Sequence, residues 1–306
     1  MTDLQVRRPK FDFTEDVPWD WNPGNPAFSF SMNATSIIAI CFEQMIVAAV
    51  QEARPLITDP AVEAEAMAFL RQEAQHSSSH RKHVNALIKQ YPGLQQTFDD
   101  AMACFDELTA TAPLEFRLAY IADTEATFTP SFKLMLDNEK TLFRPGDDRV
   151  ASLFLWHFVE EVEHRSSALV IYDAVVSKPW YRLRVLPAVV KHLLKVMAVI
   201  AEGVNAHVPL DDRKVDARTL LPGFSLRNML QDKLPFRRFS VVRPTSPAFS
   251  GIPRKQKVTA AARVLLSQTP FHDPVHEPLP DFADEWFARW NRGDDVTRWY
   301  TAEQAG

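Results

Sequence analysis

Two cysteines, Cys41 and Cys104, in a chain of 306 residues leave no material for a disulfide framework or a Cys-rich zinc site. Residues 1–12 lack the apolar stretch of a signal peptide, so a reducing cytoplasm is the expected compartment. No charge of one sign dominates. With 34 Lys+Arg against 39 Asp+Glu, a formal net charge of −5 and a pI near 6.0, nothing draws the whole chain toward nucleic acid or anionic lipid. The most membrane-like stretch, residues 185–201, is short. It is interrupted by Pro187, Lys191, His192 and Lys195, and reads as a buried or interfacial helix rather than a membrane span. Runs that alternate apolar and polar residues are nearly absent, which leaves little room for strands.

What is present is helical periodicity. It recurs over residues 34–54, 60–90, 113–138 and 150–176, and the predicted fold is all-α. Pro55 and Asp59-Pro60 separate the first two helices, Tyr91-Pro92-Gly93 closes the second, and Arg144-Pro145-Gly146 precedes the fourth. Between the second and third helices a longer span, with a short helix around 98–108, matches the long crossover of a ferritin-like four-helix bundle. The composition changes after Lys178-Pro179. Residues 1–178 are therefore expected to form the bundle and 179–306 a helical extension packed on it. The extension is read as one apolar helix to about residue 206, a Pro- and Arg-rich stretch over 221–254, a short helix at 257–268 and a tail carrying Trp286, Trp290 and Trp299.

The informative residues are acids and histidines where a helix should be apolar. In residues 37–50 only Glu43 and Gln44 are polar, and a buried, unpaired carboxylate is costly. In the second helix Glu73 shares the face of Ala66, Phe69, Leu70, Val84 and Leu87, giving Glu73-x-x-His76-x-x-x-His80. Glu125 falls on the stripe of Leu114, Leu118, Ile121, Ala122, Phe128 and Phe132. In the fourth helix His157, Glu161 and His164 line up with Leu153, Phe154, Ala168 and Ile171, while Glu160 and Glu163 turn progressively toward the polar side.

One Glu from each of two helices plus Glu-x-x-His from each of two others is how bundles build dinuclear carboxylate sites. Glu43, Glu73, Glu125 and Glu161 would balance two divalent ions, and would repel one another without them. Oxygen and imidazole donors without thiolate suit two iron ions, with manganese or zinc as alternatives. Each residue also has a plainer reading. His80 is open to three readings, a ligand, a helix histidine with no metal role, or a group that orients a ligand, of which the last is preferred, with Glu160 in the same role. His157 either stacks in the core beside Trp156 or joins the ligands, and His83 falls toward the helix flank and the surface. Cys41 reads as a small core residue, and His272, Asp273 and His276 as loop residues. Pro130 should kink the third helix, opening space beside the metals or simply ending the helix. Phe42, Phe128, Phe132, Phe154 and Tyr172 lie near the inward faces, where they line an apolar substrate pocket or merely fill the core.

These motifs resemble those of the ferritin-like dimetal superfamily. Over about residues 8–165 the chain resembles a bacterial family catalogued as predicted metal-dependent hydrolases, through Ile57-Thr58-Asp59-Pro60, Phe69–His80 and Trp156–Arg165. His157, four residues before Glu161, is similar to the extra histidine of diiron N-oxygenases acting on aryl amines. That resemblance implies Glu43, Glu73, His76, Glu125, His157, Glu161 and His164 as ligands. The expectation is an O2-dependent oxygenase or oxidase of a small organic substrate, with metal-dependent hydrolysis as the alternative and metal storage or a structural site as a third class. No electron donor is indicated. A homodimer is compatible with such a bundle, and Arg237, Arg238 and Arg243 would bind an acidic group or solvate a loop.

Overall fold

A computed structural model describes residues 4–221 and 247–305. Among the described residues every regular element is helical, so the expected all-α class holds. Helix α1 (Pro26–Ala53) starts where Asn25 Oδ1 accepts from the Phe28 N–H and Pro26 supplies a preset first residue. Asp59 and Pro60 open α2 (Pro60–Gln90) in the same way. The turn between them is short, which makes the pair an antiparallel hairpin. Helix α3 (Leu94–Thr111) is the crossover, longer than the sequence signals predicted.

The third and fourth helical stretches are each divided. α4 (Leu114–Glu125) gives way to α5 (Phe128–Leu136), and a single turn, α6 (Glu139–Leu142), follows. Pro130 therefore does not kink a continuous helix. It sits in the first turn of α5, where its missing N–H costs nothing. α7 (Asp148–Glu163) ends at His164, and α8 (Ser167–Val175) restarts after Arg165-Ser166. Serine suits such a junction because its hydroxyl bonds elsewhere, and Ser167 Oγ donates to Glu65 Oε1 of α2 at 3.0 Å. Helices α1, α2, α4–α5 and α7–α8 pack around one core, with α1 against α2 and α4, α2 against α7 and α8, and α5 against α7. α1, not residues 185–201, is long and apolar enough to cross a bilayer, and 72% of its apolar window is buried in the protein.

Two further layers cover the bundle. The N-terminal arm, residues 4–25, has no regular secondary structure and buries Arg7, Pro9, Phe11, Phe13, Val17, Trp19 and Trp21 with more exposed residues between them. Its carbonyls take side-chain donors instead of a β-ladder: Gln72 Nε2 to Gln5 O at 2.9 Å, Gln90 Nε2 to Val17 O at 2.7 Å and Asn33 Nδ2 to Trp19 O at 2.8 Å. On the other side α9 (Pro179–His207) packs across α3 and α4. Its Arg182 is buried in an ion pair with Asp123 of α4, Nε to Oδ1 at 2.8 Å. After the short helix α10 (Leu210–Arg213) come α11 (Arg254–Ser267), α12 (Asp281–Arg292), ended by Gly293 at φ 82°, and α13 (Trp299–Ala305). Trp286 and Trp299 are buried, and the Trp299 N–H donates to Ser152 Oγ of α7 at 2.8 Å, so the tail covers the bundle.

Gly203 sets the spacing of α9 on α3, because an added Cβ would lie 2.1 Å from Thr97 Oγ1. Thr97 is short, branched and buried, so it cannot swing aside. We expect Gly203→Val to cost about 3 kcal/mol through overpacking. An unchanged urea midpoint for this variant would show that the two helices are free to separate.

Candidate metal centre

The seven residues expected to bind metal come together from four helical segments. Glu43 lies in the middle of α1, Glu73 and His76 in the middle of α2, and Glu125 is the last residue of α4. His157 and Glu161 occupy the final two turns of α7, and His164 is the residue that caps it. All seven are buried. They form two groups of four, Glu43, His76, His157 and Glu161, and Glu73, Glu125, Glu161 and His164. Glu161 belongs to both. Its Oε1 faces His157 Nε2 at 2.7 Å and His76 Nδ1 at 3.4 Å, and its Oε2 faces His164 Nε2 at 3.0 Å. His164 Nε2 also lies 3.2 Å from Glu73 Oε1 and 3.7 Å from Glu125 Oε2, and Glu43 Oε1 lies 3.6 Å from His157 Nε2. Donors about 2.1 Å from one ion stand roughly 3.0–3.4 Å from each other, and half of these separations fall in that range while the others lie close to it.

A pair of cations fits what these residues lack. Glu43 Oε2, both oxygens of Glu73, Glu125 Oε1 and His76 Nδ1 are buried without a hydrogen-bond partner. Orphaned polar atoms converging on one region are costly unless something fills it. The electrostatics agree. Burial, reinforced by repulsion from the neighbouring carboxylates, pushes the Glu43 and Glu125 carboxyls well above the usual range, and Glu73 up to about 7. Burial would also raise Glu161, but His164, His157 and His76 around it hold it well below. His76 is driven up to about 9, since Glu160, Glu161 and Glu73 outweigh the burial that opposes its charge. The seven residues thus offer an oxygen-rich, imidazole-containing set suited to two divalent cations.

Further residues fix the orientation of the histidines. With Nδ1 of His76 turned to the acids, its Nε2–H donates to Glu160 Oε2 at 3.0 Å, and Arg7 Nη1 holds the other Glu160 oxygen at 3.2 Å. His164 Nδ1–H donates to Gln72 Oε1 at 3.0 Å, while Gln72 Nε2 donates to Glu163 Oε2 at 2.8 Å. Glu163 is itself gripped by Arg7, at 2.8 and 2.9 Å. The third histidine heads a longer chain. If His157 presents Nε2 to the acids, its Nδ1–H donates to His80 Nε2 at 2.6 Å. His80 Nδ1–H then donates to Ser36 Oγ, and the Ser36 hydroxyl donates to His83 Nδ1, both at 2.9 Å. Burial keeps His80 and His83 uncharged, His83 down at about 3. Gln72→Leu removes the acceptor that holds His164, and we expect metal affinity to fall about 10- to 100-fold by competition titration.

Sequence reasoning passed over Arg7, Ser36 and Gln72, and placed Glu163 toward the polar side without a role. Gln72 and Glu163 each adjoin a ligand motif, but nothing in the sequence said that an arm from residue 5 onward would cover the polar side of α7. That cover is also why Glu160 is buried rather than solvated. His83, expected at the surface, is buried under Phe13, with ring centroids 5.3 Å apart. Cys41 is buried with its thiol pushed up to about 12, which suits a core residue. Asp273 and His276 pair with each other in a short turn, Nδ1 to Oδ2 at 3.1 Å. Arg237, Arg238 and Arg243 fall outside the described residues.

Of the five aromatic residues expected at a pocket, Phe42, Phe128 and Phe132 form one continuous wall that reaches His157, Phe132 lying 6.4 Å from it. Phe154 packs on His80 at 5.2 Å, and Tyr172 donates its hydroxyl to Lys178 O at 2.7 Å. An open cleft of about 530 Å3 lies between α1 and α2 and reaches Glu43.

The fold and the centre define an all-α protein built around a buried carboxylate–imidazole cluster suited to divalent metal. The chain belongs to the family described as predicted metal-dependent hydrolase, whose model matches residues 5–243. No curated protein and no solved structure matches it.

Proposed function

We propose that this chain is a dinuclear metal-dependent hydrolase on a ferritin-like bundle, with residues 1–178 supplying the centre and the described residues beyond 178 packed over it. The observation that carries the reading is the position of Glu161, one oxygen toward each group of four. Two divalent ions bound there would lower the pKa of a shared water and polarise a scissile bond. The chain's own part is positional. Glu160 and Gln72 aim His76 and His164, His80 aims His157, and the bundle core excludes bulk water. Glu43 belongs to the first group of four and also lines the cleft, which brings an arriving substrate beside the centre.

A second reading, O2-dependent oxidation of an organic substrate, is favoured by the aromatic wall beside His157 and by a donor set that suits iron. The experiment compares zinc-, manganese- and anaerobic Fe(II)-loaded protein on carboxylic and phosphate ester panels, then admits O2 while near-ultraviolet absorption is followed. Ester cleavage that does not depend on O2 supports hydrolysis. Substrate oxidation on exposure to O2 without cleavage overturns it, and iron oxidation with no turnover assigns the centre to storage.

A further inference from the structure

We propose that the α1/α2 cleft is the substrate channel of the metal centre and that it selects organic anions, whose acid group, carboxylate or phosphate, is received by Arg81. The proposal rests on the dinuclear reading above and names the substrate class for that site.

The cleft is lined on the α1 side by Glu43, Gln44 and small or polar neighbours, and on the α2 side by Ala74, Ser77, Ser78 and Arg81. Its volume, about 530 Å3, suits a small organic molecule. Glu43 ties it to the metals, because this carboxylate belongs to the first group of four and leaves Oε2 buried without a partner. The cavity beside Pro130, by contrast, is lined by none of the seven residues.

Arg81 is the second independent feature. It is half-buried, and its guanidinium carbon lies 4.4 Å from the centre of the Phe98 ring, a cation–π contact that holds the side chain against α3. Among the described residues no carboxylate or carbonyl accepts from it, which leaves its donor fork available. With four carboxylates balanced by two divalent ions, Arg81 is the uncompensated charge of the cleft. Its place in α2 is five residues beyond His76, a rise of roughly 7 Å along the helix. Ser77 and Ser78 stand between with their hydroxyls. Arg81 and Glu43 line the same cleft, so a small organic acid gripped in fork geometry at Arg81 can extend along it toward Glu43.

The test is calorimetric titration of the metal-loaded protein with inorganic phosphate and with succinate, in the wild type, Arg81→Gln and Arg81→Lys. We expect at least one anion to bind. Arg81→Gln should weaken it about tenfold or more while retaining both ions, and Arg81→Lys, which keeps a cation but not the fork, should fall between. The anion that responds identifies the acid group. The proposal is overturned if Arg81→Gln binds both anions like the wild type, or if neither anion binds the wild type. Failure of the hydrolytic reading looks different: no ester is cleaved although Arg81-dependent anion binding persists.

Discussion

Glu161→Ala should empty both metal positions at once, taking the purified protein from two ions per chain to none. Glu43→Ala should leave one. The difference follows from how the acids are shared. Glu161 places one oxygen in each group of four, whereas Glu43 serves only the group with His76 and His157. Without Glu161 the remaining carboxylates and imidazoles are no longer held around a common bridge, and each ion would have lost an anionic donor in a medium where charge compensation decides binding. Elemental analysis of both variants, with circular dichroism to show retained helix, measures this directly. Two ions retained by Glu161→Ala would remove the shared carboxylate from the description of the site.

Stripping the metals should destabilise the protein strongly, and by an amount that grows with pH. A ligand that binds only the native state at 1,000 times its dissociation constant adds about 4 kcal/mol, so two ions add on the order of 8. The pH dependence comes from the protons that the metal-free centre must hold. Glu73 titrates near 7 and His76 near 9, each above its ordinary value. A raised pKa in the folded, metal-free state gives stability that is present at low pH. It is lost as pH rises through about 4.5 to 7 for Glu73 and about 6.5 to 9 for His76. Metal must displace those same protons, so its affinity rises by about tenfold per pH unit for each proton released. The melting temperatures of loaded and chelated protein should therefore diverge between pH 6 and pH 9. A gap that stays constant over that interval would mean that these two groups are not displaced by the ions.

Much of this arrangement was legible because buried acids break a pattern. Glu43 among the apolar residues of α1, and Glu125 on the apolar stripe of α4, are visible in a linear sequence, as are the two Glu-x-x-His pairs. The elements that failed to show are those with no period of 3.6. The arm does carry a rhythm of two, with Arg7, Pro9, Phe11 and Phe13 facing inward. It binds side chains rather than a neighbouring strand, however, so it lacks the partner that would have marked it as structure. The interruption at His164 was missed, and the one after Glu125 was anticipated only as a kink or an early end at Pro130, which lies a few residues beyond the actual break. The long α9 was legible from its apolar face, but its anchoring to Asp123 was not, since Arg182 pairs with a residue 59 positions away.

Those two interruptions bear on the order in which the centre fills. α4 terminates at Glu125 and α7 one residue before His164, so the group containing both lies where two sets of backbone carbonyls run out. The carboxyl end of a helix carries roughly half a negative charge. The position at Glu43 draws on the middles of α1 and α2 and has less of that help. Main-chain polarity alone thus makes the two sites unequal: the Glu125–His164 position should capture the first cation offered to the empty protein and surrender the last one taken by a chelator.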